Sequence, residues 1–184
     1  HEGSTFYVEL MCEAARDKED TDWDPDAMTG ELNAGKTLTG RCFLVAEDNA
    51  INSEILCELL KMQGAKTVVK TDGVQTAEEF VRAQPGTYDA VLMDIRMPRM
   101  NGYEAARAIR KMEREDAKTI PIIAMTANAF AEDVQEAMDA GMNAHVAKPI
   151  DVNILRDTLT GLLSGRDLSG KENDLVSGSG EMIK

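Results

Sequence analysis

The stretch 88-YDAVLMDIRMPRMNG-102 changes character at Asp94. Residues 88–93 make an apolar run of strand length, and the turn residues Pro98 and Asn101-Gly102 follow soon after it. From Gly102 onward Ala105, Ile109 and Met112 recur at helical spacing. A strand that reads as a nearly unbroken apolar run is buried on both faces. Followed by a helix, it is the repeating unit of a parallel sheet covered on both sides.

The unit recurs in both directions. CFLVA (42–46) precedes a helical stripe of Ile51, Ile55 and Leu59 beside Leu56 and Leu60, which Gly64 can end. TVV (67–69) precedes a helix over 72–84 that stops before Pro85. IPIIAM (120–125) precedes a helix over 129–140, with Gly141 suited to its C′ position. AHVA (144–147) precedes Val152, Leu155, Leu159 and Leu162, a final amphipathic helix over 151–163. The pattern predicts an α/β domain over residues 40–164. It is a (βα)5 doubly wound parallel sheet, flavodoxin-like, with strand order 2-1-3-4-5.

Outside those bounds the periodicity fades. Residues 3-GSTFYVEL-10 alternate as a single strand, 11–39 read as an acidic linker, and 165–184 as a flexible Ser/Gly-rich tail. The formal net charge is −13. Residues 11–40 hold eight acids and three bases, whereas 41–164 hold nineteen and fourteen, so the excess is concentrated in the linker. Such a balance disfavours nucleic acid and anionic membrane surfaces as direct partners. Cys12, Cys42 and Cys57 are odd in number and lack C-x-x-C spacing, which suits free thiols in a reducing compartment. The chain opens at His1 without an initiator Met and reads as a piece of something longer. Its segment 30-GELNAGKT-37 fits the P-loop pattern. No apolar strand leads into it, however, and strand 42–46 follows in place of a helix, so no nucleotide is expected there.

In a doubly wound sheet, ligands bind beyond the carboxyl ends of the strands, where the strand order reverses. The first strand ends in Glu47-Asp48-Asn49, the third in Asp94, the fourth in Thr126 and the fifth in Lys148-Pro149. Strands one and three are neighbours in the expected order, which brings three carboxylates together. Two carboxylates about 5 Å apart repel by roughly 3 kcal/mol at an effective dielectric near 20. Three call for a cation, and hard oxygen ligands with a partly open shell suit Mg²⁺. Lys148 adds a point charge and Thr126 a hydroxyl. A metal, a carboxylate nucleophile, a cation and a hydroxyl are the parts of in-line phosphoryl transfer to an Asp. Taken singly, the same residues also fit plainer roles: Asp48-Asn49 at a helix N-terminus, Asp94 in turn chemistry, Thr126 as a cap, Lys148 as a surface lysine.

The motifs LVAEDN, VLMDIRMPRMNG, AMTANAF and HVAKP, in this order, resemble those of the response-regulator receiver domain of two-component signalling. The resemblance covers about residues 41–164. It implies that Asp94 is the phosphoacceptor and that Mg²⁺ is held by Asp48, Asp94, the Arg96 main-chain carbonyl and, through water, Glu47. Lys148 would pair with the phosphoryl group, Thr126 would move to hydrogen-bond it, and the Ala127 N–H would assist. His145 stands where the family often has a switching aromatic residue. A cis Lys148-Pro149 peptide is also implied. Residues 3–10 resemble the last strand of a histidine-kinase ATP-binding domain. The whole then resembles part of a hybrid sensor histidine kinase, cytoplasmic and bacterial, with a parent that can be membrane-anchored. Implied partners are the kinase core of the same parent and a histidine phosphotransfer domain. The implied partner face comprises helix 129–140, strand 144–147 and the final helix.

Two other readings compete. An aspartate-nucleophile phosphatase places a second Asp two residues after the nucleophile, where this chain has Arg96. A docking module without phosphorylation has no need of the full set Glu47, Asp48, Asp94, Thr126 and Lys148.

Overall fold

Alternation within each apolar run divides the side chains between two layers. The computed structural model describes residues 37–127 and 130–174. Its strands are β1 (Cys42–Ala46), β2 (Lys66–Lys70), β3 (Ala90–Asp94), β4 (Ile122–Thr126) and β5 (Ala144–Ala147). All neighbouring pairs are parallel, in the order β2-β1-β3-β4-β5. This is the expected order, with β1 and β3 adjacent at the point of reversal.

Phe43, Val45, Leu92, Ile123 and Val146 face a layer formed by α1 (Ala50–Met62) and α6 (Val152–Asp174), through Leu56, Leu60, Leu155 and Leu159. Leu44, Val91, Met93, Ile122 and Ala124 face the other layer. That layer holds α2 (Gly73–Arg82), α3 (Gly102–Arg110), α4 (Glu115–Thr119) and α5 (Ala131–Asp139). Both faces of β3 and β4 are fully buried, hence their unbroken apolar reading. Each such side chain contributes about 1.5–3 kcal/mol relative to exposure.

Local signals explain the helix ends. Asn49 caps α1 by accepting from the Ile51 and Asn52 amides, and Gly64 beyond its C-terminus takes φ +86°. Asn101 and Glu104 form a reciprocal capping box on α3. Gly141 follows α5 with φ +90°.

Three features depart from the sequence reading. Leu38, assigned there to the linker, is 1% exposed and packs with the α1–α6 layer, so the core reaches back past residue 40. A lone Leu among Thr and Gly carries no periodicity to reveal this. The short helix α4 was not anticipated, because its five residues span little more than one turn. Finally, α6 runs to Asp174, beyond the 151–163 stripe and into the expected tail, where the leucine spacing no longer reports helix. The strand expected at 3–10 and most of the linker, with residues 30–36 of the segment that fits the P-loop pattern, lie outside the described residues. Thr37–Gly40 form turns leading into β1.

Arginines tie the α3–α4 corner. Arg110 donates to the carbonyls of Gly141, Ala117 and Ile120 and to Asn143 Oδ1, at 2.7–2.8 Å. Burial pushes its pKa below the ordinary guanidinium value. Arg114 pairs with Asp116, lies 4.5 Å from the Phe80 ring centre and donates to the Phe80 carbonyl.

Candidate functional site

The β1 strand delivers Glu47 and Asp48 to the carboxyl edge of the sheet, and β3 delivers Asp94 beside them. The register pairs Ala46 with Met93, so the acids leave adjacent strands at nearly the same level. Glu47, Asp48 and Asp94 each offer a carboxylate oxygen within 4.8 Å of the others. Glu47 and Asp94 are 2% and 6% exposed, whereas Asp48 is open to solvent. The loop after β5 brings in Lys148, whose Nζ donates to Glu47 Oε2 at 2.5 Å and to Asp94 Oδ2 at 2.6 Å. Lys148-Pro149 is cis.

Three carboxylates against one ammonium leave an excess of negative charge in a mostly buried space. Burial alone lowers the Lys148 pKa, but the hydrogen bonds and charges of Asp94 and Glu47 outweigh it and hold the pKa above its ordinary value. Two nearly buried acids and one exposed one, all hard oxygen donors, fit Mg²⁺ as a ligand set.

The neighbouring elements place the other expected residues. Asp94 is in register with Met125, so Thr126 ends β4 one residue further on, and it is 8% exposed. Ala127 follows at the surface. Arg96 is also exposed, and its N–H donates to Asp94 Oδ1 at 3.1 Å. His145 does not join the cluster. It is in register with Ala124, and it is exposed to solvent at the position where the family often has a switching aromatic residue. On the edge strand, alternation buries Val146 and turns His145 outward.

Asn52 is a residue that the sequence reading missed. Its Nδ2 donates to Glu47 Oε1 at 3.1 Å, which orients the longer of the two β1 acids. The available signal was its place in the first turn of α1, on the helix that starts directly after the acids. Beside the site an open hollow of about 400 Å³ is walled by Ile55, Leu59, Pro149 and Ile150, with Glu47 and Lys148 at its polar end. Ile51, Ile55 and Ile154 stand exposed.

Gly102 lets the start of α3 pack directly against the end of β3 after the 95–101 loop. A Cβ there would lie 2.3 Å from the Asp94 carbonyl oxygen, so any other residue displaces the backbone that carries Asp94.

Comparison with known proteins agrees with this geometry. Residues 43–160 match the response regulator receiver domain family. The chain is 40% identical over 140 residues to the peroxide stress-activated histidine kinase mak1 of Schizosaccharomyces pombe, covering 76% of this chain and 8% of that kinase. The receiver domain of the sensor histidine kinase PA1611 from Pseudomonas aeruginosa, solved with magnesium in its active-site cleft, is 36% identical. Its TM-score is 0.62, over 68% of this chain and 99% of that one. The receiver domain of Ssk1, co-crystallised with the histidine phosphotransfer protein Ypd1 of Saccharomyces cerevisiae, is 26% identical. That match has a TM-score of 0.60 and covers 67% of this chain and 88% of that one. These relatives come from yeasts and a bacterium, so the similarity does not assign the chain to bacteria. Among the described residues no helix is long and apolar enough to cross a membrane. The chain belongs to the response regulator receiver domain family, as a receiver region homologous to those of histidine kinases in two-component signalling.

Proposed function

We propose that Asp94 accepts a phosphoryl group from a phosphohistidine. The observation that carries this reading is the convergence of Glu47, Asp48, Asp94 and Lys148, residues up to 101 positions apart, on one point at the carboxyl edge of the sheet. A carboxylate oxygen of Asp94 forms the new P–O bond as the N–P bond of the donor breaks. The electron pair returns to the imidazole nitrogen, and with the other ring nitrogen protonated the ring leaves neutral. Lys148 exchanges its bond to Asp94 for one to a phosphoryl oxygen, and the Thr126 hydroxyl and the Ala127 N–H donate to the others. Asp48, Asp94, the Arg96 carbonyl and, through water, Glu47 would hold Mg²⁺, which would supply neutralisation of charge on the transferring group. Asn52 keeps Glu47 turned toward that position.

The donor is the kinase core of a longer parent chain, and the relay partner is a histidine phosphotransfer protein. The apolar wall of Ile55, Leu59, Pro149 and Ile150 in the hollow suits a helix that carries the histidine to the site. The added charge on Asp94 draws Thr126 inward, and the face of α5, β5 and α6, with Phe130 and Met138 exposed, reads out the change. His145 lies on that face.

With MgCl₂, acetyl phosphate should add one phosphoryl group to the protein and none to Asp94→Asn, by intact-mass measurement. Equal labelling of the two removes Asp94 from the role.

A further inference from the structure

The loop between β3 and α3 is anchored twice. Its inner anchor is at the site: the Arg96 N–H donates to Asp94 Oδ1, and the Gly102 N–H to the Ile95 carbonyl at 3.0 Å. The outer anchor is the N-terminus of α2. There the Gly73 N–H donates to the Met100 carbonyl at 3.1 Å, and the Arg99 guanidinium bonds to Asp72 Oδ2. A Cβ on Gly73 would lie 2.6 Å from that carbonyl oxygen, so the two loops meet main chain to main chain.

Both side chains of the outer pair are under constraint. Arg99 has φ +65°, the one positive value at a non-glycine residue among the described residues. Arg holds that conformation only where its surroundings impose it. Asp72 is 2% exposed; its Oδ1 caps α2 by accepting from the Gln75 amide at 2.9 Å. Its Oδ2 takes Gln75 Nε2 at 2.7 Å as well as Arg99. An asparagine would cap the helix equally well, so the buried charge has its use in the arginine.

We infer that Asp72 and Arg99 are positioning residues, holding the 95–101 loop so that the Arg96 backbone stays at Asp94. This inference rests on the phosphoacceptor reading above. Neither residue belongs to the carboxylate cluster; they act through the loop. The pair couples the carboxyl end of β2, which supplies no ligand, to the site formed by β1 and β3.

The test compares the wild type with R99A, R99K and D72N. Arg99 is largely exposed, so R99A folds, and D72N keeps the helix cap. Amide hydrogen exchange at Gly73 and Gly102 should quicken about threefold or more in R99A and D72N. The affinity for MgCl₂, followed by amide chemical shifts of residues 94–97, should fall about threefold to tenfold. R99K should recover part of both. Wild-type exchange at both amides in R99A and D72N overturns the inference. So does a lowered urea midpoint with unchanged Mg²⁺ affinity, the mark of a pair that only stabilises the fold. If the wild type binds no Mg²⁺ and Asp94→Asn is labelled as well as the wild type, the phosphoacceptor reading fails, and unchanged or quickened exchange still decides the anchor.

Discussion

Lys148 is the residue on which the site's electrostatics turn. Its ammonium lies between Glu47 and Asp94, two acids that are nearly out of water. Lys148→Ala leaves those acids facing one another. The variant should lose about 2–4 kcal/mol of stability at neutral pH in urea unfolding and should be phosphorylated by acetyl phosphate at least about tenfold more slowly. Wild-type stability and rate together would assign Lys148 another task. Other residues set the acid limit. Burial raises the Asp72 pKa, but the Gln75 amide and Arg99 lower it further, to a net value below the ordinary one. Hydrogen bonds from Lys70 and Tyr88 lower that of Glu79. Both folded values lie below the unfolded ones, so their contribution is complete above the ordinary carboxylate range and is lost as pH falls through the folded values. Urea midpoints should therefore drop between pH 5 and pH 3, by less in Asp72→Asn. The Lys148 pair has the opposite sign, lost only as pH rises through a value above the ordinary lysine pKa.

At the scale of elements, the β3–α3 junction brings the start of the helix against the backbone of Asp94. Gly102→Ala sets a methyl against the Asp94 carbonyl. It should cost about 1–3 kcal/mol or more in urea unfolding and shift the amides of residues 94–96 in NMR spectra. A variant with wild-type stability would mean that the α3 N-terminus yields easily. The β3 and β4 runs were legible as strands because burial on both faces removes polar alternation, and only their ends moved by a residue or two, while the edge strand β5 kept its expected bounds with Val146 buried and His145 exposed. Capping made the start of α1 legible at Asn49, whereas Asn101, read with Gly102 as a turn, caps α3 in the structure. The α4 turn gave no such signal. Its place is set by Arg114 reaching Asp116 and the end of α2, a contact with no local periodicity.

For the molecule as a whole, ligand binding and folding are linked. If the three acids hold Mg²⁺, the metal binds the folded chain alone, since the unfolded chain scatters its ligands. MgCl₂ at about a hundredfold over its dissociation constant should then raise stability by about 2.7 kcal/mol, and chelation should remove the gain. Asp48→Asn/Asp94→Asn should show little of this response in thermal unfolding; an equal response would place the metal elsewhere. Apolar runs and helical spacings in the sequence determined the five strands, the five longer helices that follow them and the polar residues at each strand end, though not α4, because periodicity is a property of neighbours along the chain. Those same strand-end positions made Glu47, Asp48, Asp94, Thr126 and Lys148 legible as a group. Only the tertiary structure decided that Asn52 steers Glu47, that Asp72 meets Arg99, that Leu38 belongs to the core and that His145 faces solvent. Each of these depends on how crossover connections pack residues from separate elements, a matter of distance in space that no local pattern encodes.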